Sequence, residues 1–387
     1  DGVSFKPLWE VTIWDKKFNL VDRHKQPKVI NYPYLLAVDL FALEQEDGDV
    51  FLLSTGEQTG WTTEALAGDN LREGEVVAIP WGKSRPLAEV MKYYKGKFVT
   101  ADNRITTSAD TNILNNKYLY YWLLTQGKTI DSFYRGSGIK HPNMKDVLDL
   151  RIPVPPLPVQ NEIVRILDNF AELTAELTAE LTARRKQYEY YREKILDSNL
   201  ETDTKKIGKL TRVFSASRVH KDEWTTEGVP FFRSSDVVSA FNGEENARGK
   251  AYISRELYER LSANSGKIEK DDLLVTGGGT IGIPYIVPND EPIYVKDADL
   301  ICIKKNEHVL SKFLYHYFCS TRFRDYLKSI THNATIAHYT ITQIENTPVP
   351  VPPLKEQARI VSILDRFDAL CNDLTSGLPA EIEARKK

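Results

Sequence analysis

Residues 152–170 read IPVPPLPVQNEIVRILDNF, and residues 349–367 read VPVPPLKEQARIVSILDRF. The offset is 197 residues: Ile163 falls on Ile360, Val164 on Val361, Leu167 on Leu364 and Asp168 on Asp365. In each stretch a proline-stiffened, extended lead runs into an amphipathic segment. Proline fixes its own φ and keeps the residue before it out of the helical region, so the helix starts only after the Pro-Val-Pro-Pro run.

The same offset reaches far upstream. Pro33-Tyr34-Leu35 falls on Pro230-Phe231-Phe232, Asp39 on Asp236, Glu73–Val77 on Lys270–Leu274, and Gly82 on Gly279. Ala101-Asp102 falls on Ala298-Asp299, and His141 on His338. One offset held over so long a stretch means an internal duplication, and a duplication decides the architecture before any local reading. Each half is a β-rich body followed by a helix. Short apolar runs such as Val76–Ile79, Leu273–Val275 and Leu300–Ile303, punctuated by Gly, Pro, Asn and Asp, read as strands. One short helix is expected late in each body, at 116–124 and at 311–318.

Composition sets the bounds. A chain of 387 residues is too long for one ordinary core. At 41% hydrophobic and 27% charged it is not a disordered polymer. No run of 18 apolar residues occurs, so no membrane span is expected. Cys302, Cys319 and Cys371 lack metal-type spacing, which points to a reducing, cytoplasmic setting without disulfides. A net charge of −3 excludes a generally basic coat but leaves room for local patches.

From Val159 to about Leu196 neither proline nor glycine interrupts the chain. Ile163, Leu167, Phe170, Leu177, Leu181, Tyr188 and Tyr191 recur at the three/four spacing of a coiled-coil seam. About 57 Å of helix results, at ~1.5 Å per residue. A lone helix of that length cannot bury its stripe. The second copy supplies the partner through Ile360, Leu364, Phe367, Leu370 and Leu374, with a break expected at 376–379 (Ser-Gly-Leu-Pro). An antiparallel pairing lets each helix return to its own body. Within the first helix Thr-Ala-Glu-Leu occurs twice in succession, at 174–177 and 178–181. Four residues advance a helix by about one turn, so such units change its length while nearly keeping its face.

No catalytic motif has the context it needs. Gly277–Gly282 fits GxGxxG, but a strand-like Pro284–Val287 follows where a nucleotide site requires a helix. Gly82-Lys83-Ser84 imitates a P-loop, yet Val77 stands where its first glycine belongs. No HExxH or close-set histidine pair offers a metal site. What remains is a set of polar loops at matched positions. In the first copy they hold Trp81, Lys83, Ser84 and Arg85, then Arg135, Ser137, Lys140, His141 and Asn143. In the second they hold Arg233, Ser234 and Ser235, then Thr276, Gly278, Gly279 and Thr280, then Asn333, Thr335 and His338. Arg and Lys suit guanine edges and phosphates, and hydroxyl and backbone N–H groups suit phosphate oxygens. These residues are the candidate DNA-binding positions. A pseudo-symmetric scaffold that binds only proteins is the alternative; it would need the helices but not the polar loops.

The paired IPVPPLxxQxxIVxILD-like segments, the TAEL units and the Ala183–Arg192 run ARRKQYEYYR resemble the specificity (S) subunit of type I restriction–modification systems, in the class with TAEL repeats. The resemblance covers essentially the whole chain. It implies an α+β architecture with two pseudo-symmetric β-rich target recognition domains, residues 1–150 and 201–350. Two long antiparallel coiled-coil helices, within 151–200 and 351–387, would separate them. It further implies double-stranded DNA with a bipartite target as ligand, and two methyltransferase (M) subunits and restriction/translocase (R) subunits as partners. S-adenosylmethionine, ATP and Mg would belong to those partners. This chain would bind no cofactor or metal, carry no catalytic residue and touch no membrane.

Overall fold

A computed structural model describes residues 3–56, 59–82, 85–101, 103–136, 140–197, 203–243, 251–331, 338–373 and 376–386. The chain divides into two compact units, 1–172 and 173–387.

The strands of the first unit are β1 (Ser4–Pro7), β2 (Thr12–Trp14), β3 (Val50–Leu53), β4 (Gly60–Thr62) and β5 (Arg72–Pro80). They continue with β6 (Lys92–Thr100), β7 (Asn103–Ser108), β8 (Tyr134–Arg135), β9 (His141–Pro142) and β10 (Arg151–Val154). Six of them form one sheet in the order β2-β7-β5-β6-β3-β4. The pairs β2–β7, β7–β5 and β5–β6 are antiparallel, and β3 joins β6 in parallel. Side chains on β5 alternate between two cores. Val77 and Ile79 pack in one with Leu119 and Leu123 of the helix Asn116–Thr125, while Val76 and Ala78 pack in the other with Phe98 and Ile105. Asn115 starts that helix by accepting hydrogen bonds from the N–H of Lys117 (2.8 Å) and Tyr118 (3.0 Å). The unit closes where β1 pairs antiparallel with β10, Ser4 opposite Val154 and Pro7 opposite Arg151.

The second unit repeats this plan. Its strands are β11 (Thr204–Lys206), β12 (Val213–Ser215), β13 (Trp224–Thr225), β14 (Val229–Phe232) and β15 (Ala251–Ile253). After them come β16 (Leu273–Thr276), β17 (Pro284–Ile286), β18 (Tyr294–Val295), β19 (Leu300–Ile303) and β20 (Pro348–Pro350). The antiparallel order β12-β19-β16-β17 matches β2-β7-β5-β6, and β11 pairs with β20 as β1 does with β10. A second sheet has the order β13-β15-β14-β18. Where β6 is one strand of nine residues, the second unit has β17 and then β18, with Pro288 and Pro292 between them. Proline cannot donate to a ladder, so the path breaks there.

The strand registers correct one detail of the repeat. Leu273 and Val275 pack in the core beside the helix Ser311–Phe318, as Val77 and Ile79 do beside Asn116–Thr125. Thr276 pairs with Leu300, and Pro80 with Asn103. Along β5 and β16 the offset is therefore 196, not 197. A slip of one residue would turn every side chain to the wrong face.

The long helix runs Leu157–Asp197, 41 residues, with Pro158 tolerated in its first turn. Inside the TAEL units the Thr178 hydroxyl donates to the Thr174 carbonyl (2.8 Å) and that of Thr182 to the Thr178 carbonyl (2.9 Å). In the first unit Ile163 and Val164 pack against their own body's core. In the second unit the long helix meets the return helix Leu354–Asn372. Tyr188 and Tyr191 stack on Phe367, with ring centroids 6.1 Å and 5.7 Å away, and Arg185 Nη2 donates to the Cys371 carbonyl (3.4 Å). Residue numbers rise on one helix as they fall on the other, so the pair is antiparallel. Ile360 and Leu364 are fully buried, and Leu181 and Phe367 are partly so. Leu167 and Leu177 are half-buried, whereas Phe170 and Leu370 are exposed. Leu374 lies outside the described residues. The return helix stops at Asn372 and a further helix starts at Leu378, close to the break expected from Ser376–Pro379.

One glutamine anchors each helix to its body. Gln160 accepts from the Asn115 N–H (2.8 Å) and donates to the carbonyls of Ile113 (2.8 Å) and Pro155 (2.8 Å). Gln357 accepts from the Leu310 N–H (2.8 Å) and donates to the carbonyls of His308 (3.0 Å) and Pro352 (2.8 Å). Both side chains are fully buried. Among the described residues no helix is long and apolar enough to cross a membrane.

Candidate nucleic-acid interface

In the first unit β5 ends at Pro80 and delivers Trp81 to the surface. Beside it lies the β8–β9 ribbon, with Arg135 opposite His141 and Tyr134 opposite Pro142. Two hydrogen bonds tie ribbon to strand. The Tyr134 hydroxyl donates to the Pro80 carbonyl (2.7 Å), and His141 Nδ1 lies 3.0 Å from the Trp81 carbonyl. A carbonyl only accepts, so Nδ1 carries the hydrogen. Burial raises the pKa of Tyr134, with the nearby Asp131 charge adding to it, which keeps the phenol a donor. The Trp81 ring rests on that of His141 with centroids 4.1 Å apart, and the indole stays 40% exposed.

Around this pair Arg135 and Lys140 face solvent. Arg135 is 3.8 Å from the Asp146 carboxylate with its side chain three-quarters exposed, a pairing too weak in water to hold it. Lys140 is exposed, and Arg85 is half-buried with interactions of its own. Asn143 is committed elsewhere: it caps the helix Met144–Leu148 by accepting from the Lys145 N–H (3.3 Å), and it donates to Asp146 (2.6 Å). Lys83, Ser84 and Ser137 lie outside the described residues.

The second unit holds the same loop differently. With the offset of 196, Gly277 takes the place of Trp81. Its carbonyl accepts from the Tyr339 N–H (2.9 Å), and Pro142, which has no N–H, stands at the position matching Tyr339. The first unit therefore uses the His141 ring where the second uses backbone. The buried Thr276 organises the turn: its hydroxyl donates to the Thr280 carbonyl (2.6 Å) and accepts from the Ile283 N–H (2.8 Å). The glycines answer to packing. A Cβ on Gly278 would lie 2.9 Å from Asp299 Oδ1, and Gly282 has φ +80° with Leu327 and Phe323 against it. A strand, β17, follows the loop, so the nucleotide-binding geometry is absent.

Several of the expected contact residues are spent on this framework. Arg233 forms a two-pronged pair with Asp236 (3.1 and 3.2 Å), and the Ser234 hydroxyl donates to the Asp299 carbonyl (2.8 Å). That carbonyl also accepts from the Gly277 N–H (2.8 Å). Ser235, Thr280 and His338 are exposed, and Gly279, at φ +73°, has open space around it. Asn333 and Thr335, with His332, lie outside the described residues. Sequence reasoning missed Asp299 as the hub of the loop, although its match with Asp102 was a usable signal. It also missed the helix Thr321–Thr331, which supplies Phe323 and Leu327 behind Gly282.

The first surface offers a flat aromatic and cations, the second hydroxyl and backbone groups on a hydrogen-bonded turn. Both are chemistries of contact with phosphates and base edges. Two such surfaces on duplicated bodies with connecting helices define a class of sequence-reading proteins. The chain belongs to the type I restriction modification DNA specificity family, whose domain matches residues 45–184 and 199–384. It is 34% identical over 326 residues to a type I restriction enzyme specificity subunit of Haemophilus influenzae, covering 81% of this chain and 80% of that one. It is 31% identical over 300 residues to the EcoR124I/EcoR124II specificity subunit of Escherichia coli, covering 73% of this chain and 71% of the relative. In fold it is similar to the S subunit of a type I restriction–modification system from M. genitalium, with a TM-score of 0.59 at 15% identity, over 100% of this chain and 93% of that one.

Proposed function

We propose that this chain reads a two-part DNA sequence, one part with each recognition body, and that the long helix sets the unread gap between them. On this reading residues 1–150 and 201–350 are the reading domains, and 151–200 and 351–387 the helical spacers. Trp81, Arg85, Arg135, Lys140 and His141 contact the first half-site; Gly279, Thr280, Ser235 and His338 contact the second. The repeated strand order, with a helix returning from each body, is the observation that carries it. Two copies of one reading module call for two half-sites, whose spacing follows that of the modules.

The chain performs no chemistry itself. Two M subunits methylate with S-adenosylmethionine, and R subunits, with ATP and Mg, translocate and cut. Each body carries nearly equal numbers of acidic and basic residues, so the partners supply much of the grip on the phosphate backbone. Methylation mapping of DNA from cells expressing this chain with its M subunits tests the reading. One split motif with a fixed gap is expected. A single continuous motif, or methyl transfer by the chain alone, counts against it; unchanged methylation after deletion of the chain favours the protein-only scaffold.

A further inference from the structure

In each unit an aspartate on the connector helix is gripped by two side chains one turn apart on the neighbouring helix. Asp168 accepts from Lys117 Nζ (2.8 Å) and the Tyr121 hydroxyl (2.6 Å). Asp365 accepts from Lys312 Nζ (2.5 Å) and His316 Nε2 (2.9 Å). The second grip reaches further. His316 is almost fully buried, and its Nδ1 lies 3.2 Å from the Tyr188 hydroxyl on the long helix. A neutral imidazole with its hydrogen on Nε2 satisfies all three groups: it donates to Asp365 and accepts from Tyr188. Each grip sits two turns along the helix from the glutamine anchor (Gln160 or Gln357). Each grip adds a polar tie beyond the glutamine and beyond the packing of Ile163 and Val164, or of Ile360 and Leu364, against the body, and so resists tilting of the rod on it.

We propose that Asp168 and Asp365 are positioning residues for spacing discrimination. Each holds its body at one angle on its own helix. With a grip lost, the angle between helix and body loosens and the body can meet DNA whose half-sites stand at the wrong separation, while the bases it reads stay the same. This inference rests on the two-part reading above.

The test uses the complete methyltransferase, this chain with its M subunits. Substrates carry both half-sites at the native gap, at one base pair more or less, or with one half-site scrambled. The variants are Asp168→Asn, Asp365→Asn and the milder Tyr121→Phe, which removes one hydrogen bond only. Methylation of off-gap DNA relative to native-gap DNA is expected to rise about tenfold in the aspartate variants, the equivalent of one hydrogen bond to a charged group. Scrambled half-sites should remain refractory. An off-gap ratio within twofold of the wild type overturns the inference, even if the variants melt earlier, because a purely structural role predicts only the melting shift. Should the aspartate variants not assemble, the same ratio measured with Tyr121→Phe decides. If the wild-type complex ignores the gap or one half-site, the two-part reading itself fails, and that outcome is distinct.

Discussion

The His141 imidazole lies against the Trp81 indole and hydrogen-bonds its carbonyl, so a ring held from behind presents its free face to solvent. A rigid aromatic loses little entropy on contact, unlike the exposed lysines near it. Trp81→Ala is expected to weaken DNA binding by the assembled complex by about tenfold, the loss expected for truncating one aromatic anchor of an interface. The loss should fall on the first half-site alone. Competition binding with DNAs mutated in either half checks this.

The fully buried side chains of Gln160 and Gln357 each bond three backbone groups, one of them buried and two part-buried. Truncation to alanine strands an N–H and two carbonyls in each case. A loss of about 2–4 kcal/mol is expected for either variant, since unsatisfied buried groups cost ~1–3 kcal/mol each and water repairs part of the damage. Urea unfolding of the single variants should give losses similar to one another, because the geometry is repeated.

Burial pushes the Asp365 carboxyl upward, but hydrogen bonds from His316 and Lys312 outweigh it and hold its pKa below the ordinary value. A carboxyl depressed in the folded state stabilises above its unfolded pKa, and that stabilisation disappears as pH falls through the folded pKa. The wild type should therefore lose stability on acidification below about pH 4, the ordinary aspartate range. Asp365→Asn should show a shallower acid limb. Thermal melts from pH 7 down to pH 3 compare the two.

The Thr174–Leu181 segment carries its own hydrogen bonds: the hydroxyls of Thr178 and Thr182 bond the carbonyls one turn back. One further Thr-Ala-Glu-Leu unit inserted after Leu181 adds roughly 6 Å of helix. The expected result is a target gap longer by one or two base pairs, with both half-sites unchanged, read by methylation mapping. A changed half-site at constant gap contradicts the spacing role.

The connector helices and one short helix in each body were legible in the sequence because their signals are local. The run from Val159 to Leu196 matches Leu157–Asp197, and the short helices at 116–124 and 311–318 are found at Asn116–Thr125 and Ser311–Phe318. The sheets were less so. Val76-Val77 and Leu273-Leu274 look alike at an offset of 197, and only the partner strands show that Val77 shares its face with Leu273. Thr276 and Arg233 looked like contact residues because polar loop residues with inward and outward roles have the same composition. Their hydrogen bonds to Thr280 and Asp236 depend on neighbours that no spacing rule specifies. The glutamines lay in plain view inside the repeated motif, but three simultaneous backbone partners only become apparent in space.

The pairing of β1 with β10, and of β11 with β20, means that each body leaves and rejoins the chain through a hydrogen-bonded stem. Whatever lies between the arms of such a stem is topologically a loop, however large. Residues can be gained, lost or exchanged within it without shifting the phase of the rod that follows, so reading surfaces can diverge while the frame that carries them keeps its dimensions.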